Sequence, residues 1–97
     1  MAEERIRRKN LWSRLGNIKK QQEWLRAAEK LGLKVDGGGG KGSHWAIRNR
    51  DYPINDIRSL IATVPANLYK QANQNVFKQL LAAGLVEDDI WQALGML

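Results

Sequence analysis

Cysteine is absent from these 97 residues, histidine occurs once and proline twice. With no thiol there is no disulfide framework and none of the usual cysteine-based structural zinc sites. One imidazole gives no pair of nitrogen ligands, and the only carboxylates near it in sequence are Asp36 and Asp51, so the residues call for no metal or other cofactor. No apolar run approaches the ~18 residues that span a bilayer, and the opening MAEERIRRKNLW lacks the apolar core of a signal peptide. The expectation is a cytoplasmic chain without membrane contact, and the missing cysteine suits a reducing compartment. Acidic residues are also scarce beside basic ones: 10 against 16, a net charge of +6. Such a balance concentrates polyanions at the surface, nucleic acid first among them.

The length fits one domain with a modest core. Residues 1–16 carry Arg5, Arg7, Arg8, Lys9 and Arg14, with Ile6, Leu11, Trp12 and Leu15 interspersed. They read either as a basic arm or as a short helix laid against a domain spanning 17–97. Asn17 is a candidate N-cap for a helix whose buried stripe is Gln21, Trp24, Leu25, Ala28 and Leu31, with Gly32 as its left-handed stop. Lys19, Lys20, Arg26 and Lys30 fall on its charged outer side. Short strands are expected at Leu33–Asp36, at Trp45–Asn49 and at Ser59–Val64, where Pro65 ends the run. Residues 54–58 fit a helical turn or a loop, and 66–74 fit a loop or the first turns of a helix. Val76, Phe77, Leu80 and Leu81 form the stripe of that helix, with Asn73 or Asn75 as its cap and Gly84 as its stop. Glu87, Asp88 and Asp89 open a last short helix with Ile90, Trp91 and Leu94 inward. The fold class is α+β.

The segment GGGGKGSHW, residues 37–45, concentrates what chemistry the chain offers. Consecutive glycines lose much conformational freedom on ordering, so the run is either an inert flexible loop or a backbone that lets an anion approach closely. A P-loop needs contiguous Gly-Lys-Ser/Thr leading into a helix; here Gly42 separates Lys41 from Ser43, and a strand follows. Ser43 and His44 are neighbours on a strand and point to opposite faces, which rules out a proton relay between them. What remains is a phosphate site served by one acid/base imidazole, with Lys41 supplying charge. RNA brings its own nucleophile, the 2′-hydroxyl, so no metal is required for such a step. Against this stands the ordinary role of a lone histidine, a surface or structural residue. A helix-turn-helix built from residues 76–83 and 87–94 is disfavoured, because its recognition helix would open with three acids facing phosphates.

The segment KGSHWAIRN, after the helix QQEWLRAAEKLGLKV and before ATVP and NVFKQLLAAGLVEDDIWQAL, resembles the HicA toxin family over about residues 17–94. Those small mRNA interferases carry a Gly-x-Ser-His-like segment at the start of a strand. The resemblance implies a layer like that of double-stranded-RNA-binding domains, α-β-β-β-α, here with an extra short C-terminal helix. It implies an endoribonuclease acting without metal, with His44 catalytic and Lys41, Gly42, Ser43 and Arg48 at the RNA phosphates. It also implies mRNA as substrate and a HicB-type antitoxin as partner. This chain departs from the family pattern in its longer glycine run, in Ala66-Asn67 after Pro65 where a basic residue or histidine is common, and in its basic N-terminal segment. A non-catalytic RNA- or DNA-binding module on the same fold is the alternative, with Lys41 and the basic segment on the backbone and His44 structural.

Overall fold

The structure is a computed structural model that describes residues 9–37 and 44–96. It is a small α+β fold in which a three-stranded antiparallel sheet and four helices share one core. Helix α1 covers residues 9–14 of the described chain and tightens into a 3-10 turn at Leu15–Asn17. Then come α2 (Gln21–Lys30), β1 (Lys34–Asp36), β2 (His44–Arg48), a second 3-10 turn at Ile57–Ser59, β3 (Leu60–Pro65), α3 (Lys70–Ala82) and α4 (Glu87–Ala93). No helix among the described residues is long and apolar enough to cross a membrane.

The sheet order is β1-β2-β3, with Val35 opposite Ile47, Ile47 opposite Ala62 and Trp45 opposite Val64. These residues face the helices, and Ile47, Ala62 and Val64 are buried there. Alternation puts His44, Ala46 and Arg48 on the other face. Between Ile47 and Arg48 the pairing skips Ile61, a bulge that ends regular pairing before the β2–β3 connection. Each flanking helix also bonds β3 through a glutamine: Gln21 Nε2 donates to the Val64 carbonyl (3.1 Å), and the Thr63 N–H donates to Gln79 Oε1 (3.2 Å). Gln21, placed by its spacing in an apolar stripe, is thus a polar latch at the edge of the core.

Leu11, Leu15 and Ile18 of the N-terminal segment are buried with Trp24, Phe77 and Trp91. Trp12 meets the Phe77 ring edge-on at 5.4 Å, and Phe77 packs on Trp91 at 4.3 Å between centroids. The described part of this segment, residues 9–18, therefore contributes one face to the core; Arg5, Arg7 and Arg8 lie outside the described residues.

Two capping expectations are corrected. Asn17 lies in the 3-10 turn, and α2 starts four residues later. Its start is organised by Glu23, whose carboxylate accepts from the N–H groups of Lys19 (3.2 Å) and Lys20 (3.3 Å) while its own N–H donates to the Lys20 carbonyl. Neither Asn73 nor Asn75 caps α3, because the helix begins at Lys70 and both lie inside it, Asn73 fully buried. Buried Leu68 and Ala72 extend the stripe of Val76 and Leu80 toward the N-terminus, which is why the helix starts before the aromatic and aliphatic run that marks it in sequence. Gly32 ends α2 with φ of 81°, as a left-handed stop requires.

Asn73 uses its whole amide. Its Oδ1 accepts from Trp24 Nε1 at 2.9 Å, and its Nδ2 donates to the carbonyls of Leu15 (2.6 Å) and Ile18 (2.9 Å). Only one orientation of the amide satisfies all three partners. Replacing Asn73 with alanine strands the Trp24 indole N–H and the Ile18 carbonyl in the core, at about 1–3 kcal/mol for each group left without a partner, while the Leu15 carbonyl keeps the Ile18 N–H. The expected loss is about 3–5 kcal/mol in urea unfolding followed by tryptophan fluorescence; a loss below about 1 kcal/mol would contradict this role.

Candidate functional site

His44 is the first residue of β2 and is exposed. It stands directly opposite Pro65, the last residue of β3. Lys41, Gly42 and Ser43, the sequence neighbours expected to join it, lie outside the described residues. Gly37, which closes the described part of β1's exit, does meet a specific demand. A Cβ on Gly37 would lie 2.9 Å from the Trp45 ring, closer than packing allows, so the ring of the residue after His44 occupies the space that a side chain would take. Trp45 thereby ties the exit of β1 to the entry of β2.

Arg48 is at the other end of the same strand, four residues on, or about 13 Å at the usual strand rise. Its Nη1 donates to the Ile54 carbonyl (3.3 Å) and to Ser59 Oγ (3.0 Å), and its Nε faces Asp36 Oδ2 at 3.4 Å. The last contact is an ion pair without hydrogen-bond geometry. Buried Ser59 continues the network: its hydroxyl donates to the Ile54 carbonyl and its own carbonyl accepts from the Asn49 N–H at 2.7 Å. Arg48 thus braces the β2–β3 connection. Further along that connection, Arg58 pairs with Asp56 at 2.7 Å and lies 4.5 Å over the Tyr52 ring. Hydrogen bonding from Arg58 holds the Asp56 carboxyl below its ordinary range.

The His44 end of the sheet gathers more than the strand entry. Gln21, the first residue of α2, reaches Val64 beside Pro65, so α2 presents its N-terminus here. β3 ends at Pro65 and α3 begins five residues later, so α3 starts at this end as well. Two helix N-termini, with the partial positive charge they carry, therefore lie toward this end of the sheet, on the face opposite the one from which His44 projects. Lys19, Lys20 and Lys70 come with them, all exposed. Sequence reading placed Lys19 and Lys20 on a solvated helix face and passed over Lys70. The available signal was two lysines directly before a helix and a third opening another, where the dipole disfavours positive charge. Among the described residues no group of three His, Asp or Glu side chains is placed to hold a metal ion.

An exposed imidazole at a strand start, on the sheet face that the helices leave open, is chemically suited to proton transfer with a ligand from solvent. The Gly37–Trp45 contact is open to test through stability. Gly37→Ala should cost about 1–3 kcal/mol in thermal or urea unfolding through overpacking, and shortening the ring with Trp45→Leu should make the added methyl nearly neutral in a double-mutant cycle. Additive losses from the two substitutions would show that the ring does not limit this position.

Comparison with protein-family models, with curated proteins and with solved structures finds no match for this chain.

Proposed function

We propose that this chain is a HicA-type endoribonuclease that cleaves mRNA without a metal, built on an α-β-β-β-α layer like that of double-stranded-RNA-binding domains with an added C-terminal helix. The observation that carries the reading is the place of the chain's only histidine: exposed, at the first position of β2, at the end of the sheet where α2 and α3 both start. The exposed position of His44 excludes a core role and leaves its imidazole open to solvent and to substrate.

In the proposed reaction the His44 imidazole takes the proton of a ribose 2′-hydroxyl. The 2′-oxygen attacks the adjacent phosphorus, the bond to the 5′-oxygen of the next nucleotide breaks, and that oxygen is protonated from the imidazolium or from water. The products are a 2′,3′-cyclic phosphate and a 5′-hydroxyl. Charge that builds on the phosphoryl oxygens is offset by nearby cations and amides, a contribution usually worth several kcal/mol of barrier. Lys41, Gly42 and Ser43, which directly precede His44 in sequence, are assigned to that task. By the same resemblance a HicB-type antitoxin is the proposed protein partner, covering His44.

The test is cleavage of a long single-stranded RNA in EDTA by wild type and His44→Ala protein purified in parallel. Loss of the imidazole should slow cleavage by about 10²–10⁴-fold while circular dichroism stays unchanged, because the side chain is exposed. RNA carrying a 2′-deoxyribose on the 5′ side of the scissile bond should resist the wild type. Undiminished cleavage by folded His44→Ala would overturn the assignment. If neither protein cleaves and both bind the RNA equally, the chain is instead a non-catalytic RNA-binding module.

A further inference from the structure

The β2–β3 connection, residues 49–60, is braced from within and yet turns aliphatic side chains outward. Its ends are tied by the Asn49 N–H, which donates to the Ser59 carbonyl at 2.7 Å. In its middle, Arg48 Nη1 and the Ser59 hydroxyl both donate to the Ile54 carbonyl. Toward its close the Asp56 carboxylate accepts from the Arg58 N–H (2.9 Å), Nε (3.1 Å) and Nη2 (2.7 Å). The same guanidinium lies 4.5 Å over the Tyr52 ring. A loop packed by its own side chains in this way is pre-organised and loses little freedom when it docks. Ile57 is nonetheless 90% exposed, and Ile54 and Leu60 are each 48% exposed. They form one patch: the Ile54 carbonyl is held at Ser59, next to Leu60, and Ile57 and Leu60 bound the 3-10 turn three residues apart. Aliphatic side chains grouped outward on a rigid loop mark a contact surface.

The occupant that suits this surface is a second copy of the chain. A cleft of about 520 Å³ opens on the same loop, lined by Lys34, Arg50, Asp51, Tyr52, Pro53 and Ile54. Ile57 lies outside it, so one loop carries a protrusion and a hollow side by side. A two-fold axis brings each protrusion to the other copy's hollow. The charges agree with that pairing. Asp56 and Arg58 flank Ile57, while the cleft carries Lys34, Arg50 and Asp51. Arg50 and Arg58 are matched in number by Asp51 and Asp56, so residues 49–60 are neutral in a chain of net charge +6. Two copies can therefore meet here without the repulsion that their overall charge imposes. We infer that the β2–β3 connection is a homodimer contact in which Ile57 of each copy enters the cleft of the other, with Asp56 meeting the partner's Lys34 and the partner's Arg50. This loop and Lys34 fall well short of the ~20–30 residues that each side of a standard interface contributes, so the dimer dissociates in the micromolar range or above. His44, at the other end of β2, lies outside the contact, and the inference is independent of the cleavage reading.

The experiment is analytical ultracentrifugation of the full chain in the absence of RNA, over a concentration series up to about 1 mM. Wild type should pass from monomer to dimer within that range. Ile57→Lys places an ammonium group against the cations of the cleft and should raise the dissociation constant about tenfold or more. Arg50→Glu sets a carboxylate against the partner's Asp56 and should weaken the dimer in the same way. Both side chains are exposed, so circular dichroism should be unchanged by either substitution. Val86→Lys is the control: it adds the same charge at an apolar residue that is 60% exposed on another part of the surface, and should leave the dimer as it is. In NMR spectra the backbone amide signals of Tyr52 and Ile57 should move on dilution of wild type, and that of His44 should not. A wild type that stays monomeric throughout overturns the inference. So does a dimer indifferent to Ile57→Lys, or one that Val86→Lys weakens as much.

Discussion

One buried amide holds the architecture in register. Asn73 accepts from Trp24 in α2 and donates to two carbonyls of the segment that links α1 to α2. The α1–α2 link and α2, both distant from α3 in sequence, are therefore fixed against it by directional bonds, in a core where most other contacts are apolar and tolerant of sliding. Apolar packing of Trp24, Phe77, Leu15 and Trp91 supplies the larger share of stabilisation, but it does not by itself choose between neighbouring registers. A polar group that is satisfied only in one arrangement does, since any slip leaves its partners stranded.

That register has a consequence at the surface. With Asn73 against Leu15 and Ile18, and Gln21 against Val64, the starts of α2 and α3 lie at the same end of the sheet as the start of β2. His44, Lys19, Lys20 and Lys70 belong to three separate elements, and the internal hydrogen bonds bring these elements together. The opposite end is organised differently. There Arg48, Ser59 and the Asp56–Arg58 pair spend their polar atoms on bracing the β2–β3 connection. One end of the sheet is thus braced by its own side chains, while the starts of α2 and α3 at the other leave Lys19, Lys20 and Lys70 exposed.

Much of this layer was legible in the sequence, because its signals are local. The period of Trp24, Leu25 and Ala28 with Gly32 after it marks α2, and alternation in residues 45–49 and 59–64 marks the strands that line the core. The failures also have a common cause. Asn73 was read as a helix cap because short polar side chains usually bond their own backbone; its actual partners lie 49 to 58 residues away. Asn17 has the same short polar side chain, while the side chain that organises the α2 start, Glu23, is inside the helix. His44 is legible at the strand entry, whereas the lysines at the helix starts fall at positions 19, 20 and 70, and no linear motif joins them. Arg48 sits within the motif in sequence but points its guanidinium at the loop beyond it.

The most direct measurement of the central claim couples one ionisation to one rate. The chain has a single histidine, so its imidazole gives a single, unambiguous NMR titration in the free protein. The pH dependence of kcat/KM for RNA cleavage reports ionisations of that same free state. The account predicts that kcat/KM changes at the pH where the His44 imidazole titrates. Cleavage that is flat through that pH, or that follows a different ionisation, would contradict it.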